Sequence, residues 1–288
     1  MGNARYNDTD WNAYATRTTH GKTRDQIFTQ HGIHADLDPA QIKFREAVDS
    51  AANPETTPII LAADETGSMG VLAETIIRGS LGDIMRELYA RKPVSDPQIL
   101  CAGVGDVYSD QAPLQVTQFE AAADVLGEQV KKIWLEGHGG GNDGESYPIV
   151  WAFAAYKTKC DSFDKRKRKG YIFTIGDEQP HTTPISHDRL LRFTGIDLEG
   201  GLDTRQALAE AQKAWHVFHL IVKPVSDQPV LKTWRSLLGE RAILVDNIEN
   251  LTAGIVSTIQ VVEGHDPFVG RTAKDVVVVR SVVAQLSA

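Results

Sequence analysis

Short, continuous apolar runs alternate with stretches of helical spacing along most of this chain, and that alternation restricts it to one class of fold. The runs "PIILAAD" (58–64), "QILCAGVGD" (98–106), "GYIFTIGDE" (170–178), "WHVFHLIV" (215–222) and "RAILVD" (241–246) have the length and continuity of strands buried on both faces. Between and after them, 71–92, 121–134, 149–160, 204–214, 230–240 and 248–262 carry apolar residues at helical spacing. The segment "LQVTQFE" (114–120) alternates apolar with polar residues, as an edge strand does. Strands separated by helices predict an α/β fold: a doubly wound, mainly parallel, Rossmann-like sheet with helices on both faces, right-handed crossovers and an antiparallel edge strand.

The remaining segments flank this pattern. Residues 1–56 are polar and weakly patterned, and read as an N-terminal extension packing on a domain that spans 57–262. One helix is expected in the extension at "DPAQIKFREAVDSA" (38–51), with Asp38 as N-cap, Pro39 at the first helical position and Ile42, Ala47 and Val48 as its buried stripe. The tail 263–288 is unusually apolar for a terminus and is expected to dock on the domain or on another chain, so self-association through the termini is one expectation. The N-terminus has no apolar stretch of the secretory kind, and Tyr6 breaks the myristoylation pattern that Met-Gly would open. No run is long enough to span a bilayer. Only two cysteines occur, Cys101 and Cys160, and they form no C-x-x-C pair. A soluble, cytoplasmic protein with no membrane partner is the resulting expectation. A net charge of -8 argues against general nucleic-acid binding, because neutralising phosphates takes a surplus of Lys and Arg.

The first strand ends in chemistry. In "IILAADETGSMG" (59–70), Asp64, Thr66 and Ser68 recur at every second position, so an extended backbone directs them alike. Ligands of open α/β sheets bind outside the carboxyl ends of strands, where Asp64 sits. One carboxylate and two hydroxyls form a hard, all-oxygen set that suits Mg²⁺ or Mn²⁺ rather than zinc. A second strand ends alike at Asp177, followed by Glu178, and the glycine loop "GHGGGNDGES" (137–146) carries Asn142, Asp143 and Glu145. Blander readings stand beside these. Asp, Thr and Ser all cap helices, although one would suffice. The glycine loop could be a surface loop whose Ser146 and Pro148 open a helix. Asp106 and Asp110 fit a site rim and turn chemistry equally well. His138 and His181 read as solvated or hydrogen-bonded histidines. The basic run in "KTKCDSFDKRKRKG" (157–170) reads as solvated helix ends.

These residues resemble the von Willebrand factor A family. Its metal-ion-dependent adhesion site (MIDAS) uses Asp-x-Ser/Thr-x-Ser after the first strand, a Thr from a later loop and an Asp after the fourth strand. "DETGSM" resembles the first element and "IGDEQPH" the last, and "GHGGGNDGES" resembles the glycine-rich loop of bacterial members. The resemblance extends over about residues 57–262, including "WRSLLGERAILVDNIENLTAGI" (234–255) as the closing helix–strand–helix. It implies a Mg²⁺ or Mn²⁺ ion held by Asp64, Thr66, Ser68 and Asp177. The glycine loop has no threonine, so that role falls to Asn142, Asp143 or water. It also implies a non-enzymatic protein–protein interaction module, in which a partner's Asp or Glu completes the coordination. Bacterial and phage relatives often act beside MoxR-type AAA+ ATPases. Two other classes are weighed against it. One is a structural or assembly protein, such as a phage particle component, that uses the domain as a scaffold. The other is a Mg²⁺-dependent phosphoryl-transfer enzyme, against which stands Thr66 where Asp-x-Asp phosphatases carry an acid.

Overall fold

Ile59, Leu61 and Ala63 pack into one apolar layer and Ile60 and Ala62 into another, because successive residues of a strand face opposite sides of its sheet. With both faces covered, the strand is apolar from Pro58 to Ala63 and ends at the buried Asp64. The computed structural model describes residues 4–65, 74–136, 144–222 and 228–287. Along the chain these form α1 (Asp8–Thr18), α2 (Arg24–Ile27), β1 (Arg45–Ala47) and β2 (Thr57–Asp64). A π-helical turn (Ile76–Ser80) leads into α3 (Leu81–Arg91), followed by β3 (Pro97–Val104), β4 (Leu114–Val116), α4 (Ala123–Val130) and α5 (Pro148–Tyr156). Then come β5 (Thr158–Cys160), α6 (Asp161–Arg166), β6 (Gly170–Gly176), α7 (His187–Thr194) and α8 (Thr204–Ala211). The chain closes with β7 (Trp215–Val222), α9 (Gln228–Leu238), β8 (Ala242–Val245), α10 (Leu251–Val262) and α11 (Ala273–Leu286).

Among the described residues the central sheet has six strands in the order β4-β3-β2-β6-β7-β8. Every pairing is parallel except β3 with β4, which is antiparallel and lies at the edge. The chain builds outward from β2 in one direction through β3 and β4, then returns to the other side of β2 with β6. The strand order therefore reverses between β2 and β6, the place where open α/β sheets take ligands. Helices α1, α3, α4, α10 and α11 contribute to the layer on one face, and α5, α7, α8 and α9 to the layer on the other. This is the mainly parallel, doubly covered sheet that the alternating pattern predicts. Among the described residues no helix is long and apolar enough to cross a membrane.

Two of the expected helices differ in the structure. The helix expected over 38–51 does not form. The Asp38 carboxylate instead accepts from the backbone N–H of Ala40 (2.9 Å) and from Gln41 Nε2 (2.8 Å), which makes a turn. Residues 45–47 then pair in parallel with 158–160 as a two-stranded sheet of β1 and β5. The same pairing cuts short the helix expected over 149–160, which ends at Tyr156. Next to it, buried Lys157 donates from Nζ to the carbonyls of Pro39 (2.7 Å) and Thr194 (2.9 Å). Backbone partners distant in sequence outweigh local helical spacing in both places.

Both ends of the chain enter the core. Asn7 caps α1 through its side chain, and Trp11 and Tyr14, one turn apart, are buried against the sheet-facing cluster. At the other end α11 buries Val279 and Val282. The Gln285 amide accepts from Leu244 N–H (2.8 Å) and donates to Leu244 C=O (3.1 Å), so a side chain caps the open edge of β8 as a neighbouring strand would.

Strand β7 carries two histidines that the fold keeps neutral. His219 is fully buried, stacked on Trp234 at 3.5 Å between ring centroids, with Nδ1 2.9 Å from Thr174 Oγ1. Burial holds its basicity well below the ordinary value, and burial with nearby Arg241 and Lys169 pushes His216 down to about 4. An unfolded histidine titrates near pH ~6.5, so between that pH and about 4 the unfolded chain binds more protons at position 216 and the fold loses stability as pH falls. The buried carboxyls of Glu65 and Asp110, held above the usual carboxylate range, act in the opposite sense. A substitution isolates the histidine: the stability gap between wild type and His216→Gln, read from urea unfolding, shifts in favour of the variant as pH is lowered from 6.5 to 4. A gap that stays constant over that range would rule out His216 as the titrating group.

Candidate functional site

The β2–β6 register brings two of the sequence-predicted acids together. Ala63 lies opposite Ile175 in the parallel pair, so one step further Asp64 lies beside Gly176 and Asp177 follows at once. Asp64 is fully buried, whereas Asp177 is partly exposed beyond the strand end. Gly176 is required there. A Cβ at this position would sit 1.9 Å from Tyr147 Oη and 3.1 Å from Asp64 Cβ. Tyr147 immediately precedes α5, whose first residue is Pro148, and its hydroxyl donates to Asp64 Oδ2 at 3.1 Å. Burial raises the Tyr147 phenol well above its ordinary value, and the negative charges of Asp64, Glu145 and Asp177 push it further the same way. The phenol therefore remains a donor, surrounded by three carboxylates from three segments of the chain.

The descending end of the glycine loop is tied to both neighbouring loops. Glu145 N–H donates to Gln179 C=O (2.9 Å), His181 N–H donates to Glu145 C=O (3.1 Å), and Ser146 N–H donates to Gly105 C=O (3.3 Å). Behind these contacts lies Asp106, fully buried after β3. Its carboxylate accepts from Tyr108 N–H (3.0 Å), Ser109 Oγ (3.2 Å) and Ser146 Oγ (3.3 Å), and His181 Nε2 lies 2.7 Å away. Asp106 N–H in turn donates to Asp110 Oδ2 at 2.6 Å. Burial lifts the Asp110 carboxyl above its usual range, partly offset by that backbone donor. Ser146 and His181 thus each bond the same acid rather than each other, which is not the arrangement of an activated serine.

Glu65, one residue past Asp64, points the opposite way, as its parity requires. Its carboxyl lies over Gly103, where a Cβ would come within 1.1 Å of Oε1, and it accepts from Gln115 Nε2 at 3.0 Å. Burial raises it well above the carboxylate range, and Gln115 opposes that shift.

Of the other predicted site residues, Thr66, Ser68, Asn142 and Asp143 lie outside the described residues, as does His138. Among the described residues, no group of three or more His, Cys, Asp and Glu side chains could hold a metal ion. Asp64 and Asp177 are hard oxygen donors on adjacent strand ends, a set that fits Mg²⁺ or Mn²⁺ once hydroxyl oxygens join it. Sequence reasoning passed over Tyr147 as a partner of Asp64. Its only local signal is its place just before Pro148 at the start of a helix. It read His181 as a solvated or hydrogen-bonded residue; the ring is buried and bonded to Asp106. The basic run is partly paired, with Arg166 bonding both carboxylate oxygens of Asp49.

No family model matches this chain, and no curated protein does. Solved structures show looser similarity. The pilus adhesin SpaC from Lactobacillus rhamnosus GG, in its open conformation, shares 10% identity at a TM-score of 0.45, over 75% of this chain and 31% of the adhesin. A von Willebrand factor type A protein from Catenulispora acidiphila shares 12% at 0.40, over 78% and 48%. The conserved hypothetical protein BatB from Bacteroides thetaiotaomicron shares 14% at 0.42, over 72% and 98%. The chain thus spans less than a third of the adhesin and under half of the Catenulispora protein. These solved neighbours include the family whose motif the sequence resembles; the architecture described above rests on the strand order itself.

Removing the Tyr147 hydroxyl tests the link between α5 and β2. Tyr147→Phe keeps the ring volume but takes a hydrogen-bond donor from a buried carboxylate, so it should lower stability by about 1–3 kcal/mol. Urea unfolding checks this, with a shifted midpoint and an unchanged slope expected.

Proposed function

We propose that this chain is a metal-dependent, non-enzymatic protein-interaction module. It would bind Mg²⁺ or Mn²⁺ at the carboxyl ends of β2 and β6 and present that ion to a carboxylate of a protein partner. The observation that carries the reading is the adjacency of Asp64 and Asp177 at the point where the strand order reverses. Asp64 and Asp177 would hold the ion together with Thr66 and Ser68, and Asn142 or Asp143 would stand in for the family's loop threonine. Two carboxylates offset a dication's charge while leaving it electrophilic enough to take a further acid. The sharing of Asp106 by Ser146 and His181 favours binding over hydrolysis, since neither side chain activates the other. Following the family resemblance, the partner we put forward is a protein with an exposed Asp or Glu, with a MoxR-type AAA+ ATPase as the first candidate to try.

Titration calorimetry with Mn²⁺ tests this. Wild-type protein is expected to bind one ion with heat that Asp64→Ala combined with Asp177→Ala abolishes. A double variant that still binds like wild type would sink the assignment. Partner capture is expected to be lost on adding a chelator and regained with excess Mg²⁺.

A further inference from the structure

Asp106 is a completely buried acid that the proposed coordination set does not use, and it joins the loop after β3 to the end of the glycine loop and to the loop after β6. It belongs to the loop after β3, and its Oδ1 meets Ser146 of the glycine-loop end and His181 of the loop after β6. The contacts reinforce one another. Ser146 Oγ also accepts from Val107 N–H at 2.9 Å. The His181 ring is held edge-on by Tyr108 at 4.9 Å between centroids, and its carbonyl accepts from Thr204 Oγ1 at 2.8 Å. Through its backbone N–H, His181 returns to Glu145. Asp177 is four residues before His181.

We propose that Asp106 and His181 act as a positioning pair, locking residues 144–146 to the loop after β6 so that Asp177 is held beside Asp64; this rests on the metal-binding reading above. A carboxylate taken fully out of water is costly unless its lone pairs are satisfied. Asp106 has donors from the backbone and from three side chains, so the desolvation is offset only while the three segments stay together. Such a network makes the loop arrangement a cooperative unit, because releasing one segment leaves a buried charge short of donors for the others. Neither residue touches the ion; both act through the backbone that carries the ligands.

The test is made on the full chain with Asp106→Asn, His181→Ala and His181→Gln. Glutamine can place Nε2 where the imidazole Nε2 was, so it serves as the conservative replacement. Two quantities are read: Mn²⁺ affinity, and amide hydrogen exchange at residues 144–147 and 178–182, with the amides of β2 and β6 as internal reference. Asp106→Asn and His181→Ala are expected to weaken Mn²⁺ binding about tenfold or more, the effect typical of groups that orient ligands. Both should speed exchange in the two segments while the strand amides stay protected, and His181→Gln should restore both readings. Wild-type affinity in Asp106→Asn and His181→Ala overturns the positioning role, whatever the exchange shows. Failure of wild-type protein to bind Mn²⁺ overturns the metal reading and this one with it, so the two failures are told apart. Should Asp106→Asn fail to fold, the His181→Ala and His181→Gln pair decides on the same criteria.

Discussion

The parallel pairing of β2 with β6 is the constraint on which the rest of the molecule depends. Its register alone decides that Asp64 meets Gly176 and that Asp177 emerges beside it. A slip of one residue would turn Asp64 to the other face, away from Tyr147. Gly176 then becomes obligatory, since any side chain there would occupy the place of the Tyr147 hydroxyl. Tyr147 is set in turn by α5, whose residues Trp151, Ala152 and Phe153 are buried beneath the sheet. The site geometry is therefore an outcome of core packing as much as of the motif.

Carboxylates dominate this end of the sheet, and the fold handles them individually. Asp64 and Asp106 are fully buried but receive hydroxyl, imidazole or backbone donors. Glu136 accepts from the backbone N–H groups of Gln111 and Ala112. Glu65 and Asp110 are pushed toward the protonated form by burial. The strand ends thus gather acidic side chains, some kept charged by donors and others pushed toward the neutral form by burial.

The two chain ends do comparable work on the sheet. Helix α1 brings Trp11 and Tyr14 onto the layer formed by α3 and α4, and α11 caps the β8 edge through Gln285. With its edge groups bonded by a side chain, β8 offers less of the unpaired backbone that invites strand addition.

The architecture was legible in the primary structure because buried parallel strands need continuous apolar runs and their covering helices need one apolar stripe, and both patterns are local. Each long strand of the central sheet was marked this way, as was the edge character of 114–120. The Asp64 motif was legible too, since its alternation is a local property of an extended chain. Helix α1 was missed: Asn7 as a cap and Trp11 with Tyr14 one turn apart were its only marks in a polar stretch. The strands β1 and β5 were misread, because segments more than a hundred residues apart settle them by pairing, and the helix expected at Asp38 gives way to a turn closed by its own carboxylate. By itself the sequence determined which segments become strands and helices and that Asp64 ends a buried strand. Only the tertiary structure decided that Asp177 is its neighbour, that Tyr147 bonds it, and that Asp106 gathers Ser146 and His181. Register and loop packing are relations between distant residues, and no local pattern encodes them.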